Sequence, residues 1–305
     1  MDIQTVEADL AAIERDGSLD DELNLAARVE ALAQLEFADE FLRLSGSAQE
    51  RAALGRRVAR ARARLERADE RLFEQARARF REAGTETRPT STVRQGLRAW
   101  LDRFTAYRRE QSRPLHTGYD ALDALVDGVL NLDEIPAPTR APEREMIHLE
   151  PTPVRVVLEM VDRVTWRPED VFCDIGSGLG QVPILVHLLT GVRAVGIEIE
   201  PAYCRVARKE AERLGLSGVS FLEGDARTAD YRPGTVFYLF TPFVGEMLQD
   251  VLDRLEEQVK GRAVTVCCYG PCNPHVARQV WLHSKDVDPE YEFKLAVFHG
   301  GPPPF

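Results

Sequence analysis

The sequence predicts a doubly wound α/β domain, with a mostly parallel sheet and an antiparallel C-terminal hairpin, preceded by an all-helical N-terminal domain. Three observations carry this. From about residue 146 onward, short β-branched runs alternate with helical patterns. Before that point, apolar residues recur at mostly helical spacing. Between the two lies "DEIPAPTRAPERE", with Pro136, Pro138 and Pro142 and no apolar periodicity, which is the composition of a linker. The domains are therefore 1–135, helical; 136–145, linker; and 146–305, α/β.

The helical part opens with apolar positions from Leu10 through Leu25 and Leu35 to Leu42, set among acids, which reads as amphipathic helix over residues 1 to about 45. "SGSAQE" interrupts it and supplies a helix cap. The next stretch is rich in arginine, including Arg51, Arg56, Arg57, Arg60, Arg62, Arg64 and Arg67. It holds few aromatics for stacking on bases, so a charged helix lying against the acidic helices is favoured over a nucleic-acid arm. Pairs such as Arg62–Glu66 are expected on its surface. "GTETRPTST" is a loop from which Thr92 caps the helix "VRQGLRAWLDRFTAYRRE", and another helix covers about Gly118 to Leu132.

In the second part, "DVFCDI", "RAVGIEI", "VSFLEG", "TVFYLF" and "RAVTVCCY" read as strands. Helices fall between them: "GQVPILVHLLTG" with Gly191 as C-cap, "PAYCRVARKEAERLGL" with Pro201 in its first turn, and "VGEMLQDVLDRLEEQV". "QVWLHSKDVDPEYEFKLAVFHGG" reads as two strands of a hairpin, making one edge antiparallel.

The 305 residues are 44% hydrophobic and 29% charged, an ordinary globular balance. A net charge of −11 argues against a surface that grips nucleic acid throughout. No apolar run approaches the roughly 20 residues that span a bilayer, and the acidic, amphipathic N-terminus is unlike a signal peptide. Five cysteines, an odd number, do not suggest a disulfide scaffold; a cytoplasmic protein with reduced thiols is expected. Cys267, Cys268 and Cys272 cluster, but zinc spacing would need a second pair elsewhere, so buried strand packing is the better reading and no metal is expected.

The chemistry centres on "VFCDIGSGLGQ", Val171 to Gln181. In a doubly wound sheet, ligands bind beyond the carboxyl ends of the strands, and the first strand–helix turn is the usual place. A dinucleotide fingerprint wants glycine at its first, third and sixth positions, which here are Gly176, Gly178 and Gln181, with the third glycine one place early at Gly180. Asp174 just before the turn would repel a pyrophosphate. A carboxylate there suits S-adenosylmethionine, which has an ammonium, a sulfonium and no phosphate. Glu198 at the end of the second strand is placed to accept two ribose hydroxyls. Asp225, after the third strand, is placed to accept from the adenine amino group, with Ala226 near the ring. Taken singly, Asp174 and Asp225 also read as turn caps. The cofactor-binding set is thus Asp174, Gly176, Ser177, Gly178, Gly180, Gln181, Glu198, Asp225 and Ala226.

At these residues the chain resembles class I S-adenosylmethionine-dependent methyltransferases, from about Met146 to the C-terminus. "PTPVRVVLEMVDRVTWRPEDVFCDIGSGLGQVPILV" looks most like the non-SET histone lysine methyltransferases, the disruptor-of-telomeric-silencing family. The resemblance implies that Thr152 lies over the methionine end of the cofactor and that Gln181 begins the helix beneath it. Thr152-Pro153 also reads as a plain N-cap followed by an N1 proline. After the fourth strand the chain departs from that family: "FTPF", Phe240 to Phe243, stands where an asparagine-containing segment is expected. It resembles the Asn/Asp-Pro-Pro-aromatic segment of amine and amide methyltransferases, with Thr241 in place of Asn or Asp, then Pro242, and Phe243 as an aromatic wall. Pro242-Phe243 alternatively reads as a helix start with a core aromatic. His148 and Tyr269 are candidate bases for a poor nucleophile.

The expected activity is methyl transfer to a nitrogen of a protein side chain or small molecule, with the helical domain shaping or covering the substrate pocket. The alternatives are a non-catalytic cofactor-binding or scaffold protein, and an RNA methyltransferase using the arginine-rich helix.

Overall fold

The structure, a computed structural model, describes residues 2–45, 47–86, 91–106, 119–132 and 135–301. Parts of the predicted loop before Thr92, the end of the helix predicted to run to Glu110, Gly118, and residues 133–134 lie outside the described residues. Contacts divide the chain into two units: Met1–Ala78 with Ala99–Val129, and Arg79–Arg98 with Leu130–Phe305.

In the first unit the single helix predicted over residues 1–45 is two, α1 (Ile3–Arg15) and α2 (Leu25–Ser45). The break lies in short polar side chains that bond their own backbone instead of continuing the helix. The Asp16 carboxylate accepts from the Ser18 amide at 2.9 Å, and Asp21 accepts from the Leu23 amide at 3.0 Å, around two short 3₁₀ turns. The apolar faces of α1 and α2 meet α3 (Ala48–Thr85) over Val6, Leu10, Leu35, Leu42, Val58 and Leu65.

Many arginines of α3 serve this packing, as the charge pattern suggested. Arg57 forms a fork with Glu14 at 3.1 and 2.6 Å, and Arg64 donates to the Ile13 carbonyl at the end of α1 at 2.9 Å. The expected Arg62–Glu66 pair does not form: Arg62 Nη2 is buried with no hydrogen-bond partner among the described residues. Arg28 on α2 is wholly buried and bonds Asp69 at 2.5 Å, together with the Leu19 and Asp21 carbonyls.

Helix α4 (Thr92–Ala106) is capped by Ser91 and not by Thr92, because the Ser91 hydroxyl accepts the Arg94 amide at 3.2 Å. Helix α5 (Ala121–Leu130) begins with a reciprocal cap: Asp120 accepts from the Leu122 amide, and Asp123 reaches back to the Asp120 amide at 2.6 Å.

The second unit carries α6 (Val154–Arg163), β1 (Val171–Ile175), α7 (Gln181–Thr190), β2 (Arg193–Glu198), α8 (Pro201–Arg213), β3 (Val219–Glu223), β4 (Val236–Leu239), α9 (Gly245–Val259), β5 (Val264–Cys268), α10 (Asn273–Ala277), β6 (Leu282–Ser284) and β7 (Ala296–Gly300). The sheet order is β3-β2-β1-β4-β5-β7-β6. The first five strands are parallel, and β7 runs antiparallel to both β5 and β6. Strands β1 and β4 are buried along their whole length, as expected of a parallel sheet covered on both faces. The strand order reverses between β1 and β4, which puts the predicted ligand position at the carboxyl end of β1.

Arg94 ties α4 into this unit. It is fully buried and donates to the His187 and Leu188 carbonyls at 2.6 and 2.7 Å, beside the left-handed C-cap Gly191 of α7.

The buried Arg28–Asp69 pair yields the first prediction. Asp69→Ala leaves a guanidinium buried without its carboxylate and is expected to destabilise the first unit by about 3–5 kcal/mol. Denaturant unfolding checks this; a shift under about 1 kcal/mol shows that water or other acceptors compensate.

Candidate functional site

The turn after β1 is held from below. The Gly176 and Ser177 amides both donate to the Ile197 carbonyl at the end of β2, at 2.9 and 3.0 Å, and the Gly178 amide donates to the Glu198 carboxylate at 2.8 Å. Two of the glycines have no alternative. Gly176 has φ +82, and a Cβ there would lie 2.3 Å from Pro242. Gly178 has φ +52, and a Cβ would lie 2.6 Å from Leu149.

Above the turn opens a cleft of about 230 Å³. Glu198, Ile199 and Tyr203 line it from the β2 side and Asp225 and Ala226 from the β3 side. Phe240 to Val244 line it from the β4 side, and Met146 to Glu150 from the segment before α6. That segment is joined to the β4 side: Met146 and Phe243 form an antiparallel bridge, the Ile147 amide donates to the Pro242 carbonyl at 3.2 Å, and the Val244 amide donates to the Glu145 carbonyl at 2.9 Å. The Glu145 carboxylate also receives the Met247 amide at 2.8 Å and so caps α9, whose own N-cap residue, Val244, supplies no side chain for this.

The carboxylates are tuned by this geometry. Burial raises Asp174 well above the usual range, the charge of Glu198 adds to the effect, and no hydrogen bond among the described residues offsets it. Burial also raises Glu198, although the Glu200 and Gly178 amides pull the other way. Each Glu198 oxygen receives one of those amides, at 2.8 Å, and keeps a lone pair for another donor. Asp225 is held below its usual value by the Arg227 guanidinium, which bonds it at 2.6 Å and Glu143 at 2.9 Å. Asp225 also accepts the Arg227 amide at 2.8 Å, so it both caps the turn and lines the cleft.

Thr241 is the strained residue. Its φ is +38, unusual for a β-branched side chain. The hydroxyl donates to the Tyr269 carbonyl at 3.4 Å and accepts the Cys272 amide at 3.4 Å. Gly270 leaves the room for it, since a Cβ there would lie 2.6 Å from that hydroxyl.

Comparison with known proteins adds the chemistry. Residues 150–221 match the family described as Histone methylation protein DOT1. Over these residues the second unit is similar to DOT1, which supports a class I S-adenosylmethionine-dependent methyltransferase related to that family. A protein-lysine N-methyltransferase of Saccharolobus islandicus is 32% identical over 107 residues, covering 34% of this chain and 66% of that protein, so the chain spans just under two thirds of that relative's length. Among solved structures, an RNA methyltransferase of Salinibacter ruber bound to S-adenosylhomocysteine is 29% identical, with a TM-score of 0.40, over 51% of this chain and 96% of that one. A precorrin-6y C5,15-methyltransferase of Geobacter metallireducens is 17% identical with a TM-score of 0.37, over 54% and 95% of the two chains.

S-adenosylmethionine is the cofactor of this methyltransferase domain, and the site suits it. The turn is a cradle that a Cβ at Gly178 would fill, and Ser177 Oγ lies buried beside it with no partner among the described residues. Of the residues singled out in the sequence, Gly176, Gly178, Glu198, Asp225, Ala226, Thr241, Pro242, Phe243 and His148 line the cleft. Asp174, Ser177, Gly180 and Gln181 belong to the strand end, turn and helix start beneath it. Thr152 is not the N-cap of α6; Pro153 is, without a side-chain bond, and the buried Thr152 hydroxyl pairs with the Tyr238 hydroxyl at 3.2 Å. Tyr269 is buried and does not line the cleft: its ring packs 5.3 Å from Phe240, its hydroxyl accepts from Arg155 at 3.3 Å, and its carbonyl anchors Thr241.

Sequence reasoning missed Met146, Ile147, Leu149, Glu150, Ile199, Tyr203 and Pro271 as cleft walls. A signal existed for two of them. Ile199 directly follows the strand-end acid, and Tyr203 sits in the first turn of the next helix.

Glu198→Ala is expected to weaken cofactor binding by about 1–3 kcal/mol, the cost of leaving buried donors unpaired, with the fold intact. Gly178→Ala should weaken binding by about 1–2 kcal/mol, the cost of a side chain on a left-handed backbone, with Leu149 displaced from the cleft wall. Titration calorimetry with S-adenosylhomocysteine checks both; unchanged affinity in a folded Glu198→Ala protein removes that residue from the site. The pH dependence has a definite sign. Asp174 and Glu198 have raised values in the free protein, so they hold protons at a pH where ordinary carboxylates have lost them. A bound ammonium and two ribose hydroxyls favour the ionised forms, so binding releases protons. Affinity should therefore rise with pH across the window above the ordinary values of 3.8 and 4.5. Calorimetry in buffers of different ionisation enthalpy reads the protons released; proton uptake would reverse the argument.

Proposed function

We propose that the chain transfers a methyl group from S-adenosylmethionine to a side-chain nitrogen of a protein, with lysine as the acceptor. The observation that carries this is the β4 side of the cleft, where Phe240, the strained Thr241, Pro242 and Phe243 stand opposite Glu198 and Asp225. The Saccharolobus relative, a protein-lysine N-methyltransferase, supports it. The match to DOT1 ends at residue 221, before this segment, so the acceptor rests on the cleft and on that relative.

The cofactor supplies an activated methyl on sulfur, displaced in line by a nucleophile. On this reading the residues of the chain position and exclude. Gly176 and Gly178 admit the cofactor close to the backbone, and Glu198 holds its ribose. Thr241, Pro242 and Phe243 form the wall against which the acceptor lies. Aromatic faces at Phe240 and Phe243 favour a cationic side chain entering the cleft. A lysine must lose a proton before it attacks, and His148, exposed and lining the cleft, takes it. Bringing the amine and the methyl together in a dry site supplies most of the acceleration. The five cysteines are free and buried, and no helix among the described residues is long and apolar enough to cross a membrane, which suits a cytoplasmic setting.

The test is incubation with radiolabelled S-adenosylmethionine and a cell extract, followed by separate trypsin and ribonuclease treatment. Label lost to trypsin, kept through ribonuclease, and recovered as methyl-lysine is expected. Label lost to ribonuclease alone transfers the assignment to RNA, and no label beside normal cofactor binding leaves a binding protein without catalysis. Phe243→Ala should lower kcat/KM by about tenfold or more while the affinity for S-adenosylhomocysteine stays within about twofold.

A further inference from the structure

The first unit holds a second concave feature, on which the cofactor site makes no claim. Between α1 and α2 lies an open groove of about 350 Å³. Its floor is apolar, made by Val6, Leu10 and Ile13 of α1 and Leu35 and Ala38 of α2. Phe37 stands at its edge, half exposed, and Leu44 lies on the same face of α2 seven residues on, 80% exposed.

The surroundings of the groove are acidic to an unusual degree. Residues 1–45 contain twelve acidic and three basic residues, so this stretch accounts for most of the net charge of −11. Asp9 lines the groove, and Glu30, Glu36 and Glu40 stand exposed on α2. None of these four is in an ion pair among the described residues, whereas Glu14 and Asp39 are bound by Arg57 and Arg43. A groove with an apolar floor, Asp9 in its wall and exposed acids nearby on α2 selects its occupant. A second copy of this chain would bring acid against acid, which disfavours a symmetric pair. A basic segment that also presents apolar anchors meets both features.

We infer that this groove is a docking site for a lysine-rich amphipathic segment of the methyl-acceptor protein, separate from the segment that enters the cleft. Its assignment to the acceptor rests on the protein-lysine reading above; the docking itself does not need the cofactor. Apolar anchors give the contact its register, and the acidic rim raises its on-rate and excludes acidic proteins.

The experiment is fluorescence anisotropy without cofactor, using the full chain and a labelled helical peptide of about 20 residues. The peptide has leucines every third or fourth position and lysines between. Two controls are a scrambled peptide of the same composition and one with glutamate for lysine. Binding at least about tenfold tighter for the amphipathic basic peptide than for either control is expected. Phe37→Ala and Glu30→Lys should each weaken it several-fold, with circular dichroism and S-adenosylhomocysteine binding unchanged. Asp250→Lys on α9, also an exposed acid, should leave it unaltered. Equal binding of the scrambled peptide, or equal loss in Asp250→Lys, shows a general charge effect and overturns the site. Unaltered binding in well-folded Glu30→Lys overturns it too, as does a dimer in light scattering that Phe37→Ala dissolves. This assay reads no methyl transfer, so it decides the groove alone, while the labelling experiment above decides the function; binding here with no methyl-lysine there would sink the function and leave the groove standing.

Discussion

The cleft depends on one junction, where the glycine turn is bonded to the end of β2. Two successive amides, of Gly176 and Ser177, share the Ile197 carbonyl, and the next residue's amide, of Gly178, donates to Glu198. This places the turn and the Glu198 carboxylate at a set distance. It also accounts for the glycines, since the turn must pass under Pro242 and Leu149 at separations that leave no room for a Cβ. The electrostatic consequence is a pair of raised carboxylates held ready for positive charge and hydroxyl donors. Such a site gives up some stability of the free protein in return for preorganisation.

The opposite wall is built on a different principle. Two residues beyond β4, Thr241 is held at a positive φ, and its own hydroxyl secures it, through the Tyr269 carbonyl and the Cys272 amide. Threonine at this position therefore serves its own backbone, whereas an asparagine or aspartate would extend a longer polar group. Across the cleft mouth the Glu145–Ile147 segment pairs with Pro242–Val244 and caps α9 in passing. The match to DOT1 covers residues 150–221, which hold the glycine turn and Glu198 and end before Phe240–Phe243.

Charge is partitioned within the first unit. Arg57 and Arg64 of α3 bind the acidic side chain and the carbonyls at the end of α1, and Arg28 is buried against Asp69. Among the described residues, Asp9 of α1 and Glu30, Glu36 and Glu40 of α2 are exposed acids outside these ion pairs, and Asp9 lines the apolar groove.

The sequence by itself determined the class of the second unit and marked the turn and the strand-end acid that line its cleft. The alternation of strands and helices, the acid before a Gly-x-Gly-x-Gly turn and the strand-end Glu198 are local patterns, and local backbone geometry follows from local composition. It did not determine what reaches that turn from elsewhere in the chain. That Thr152 turns to Tyr238 and not to the helix N-terminus, that Ser91 and not Thr92 caps α4, and that Tyr269 supports Thr241 from outside the cleft were decided by long-range packing. The same holds for Arg94, a charged residue of α4 that tertiary structure buries against the carbonyls of α7. Proximity in space between residues tens of positions apart depends on how the whole sheet closes, and no periodicity or spacing carries that information.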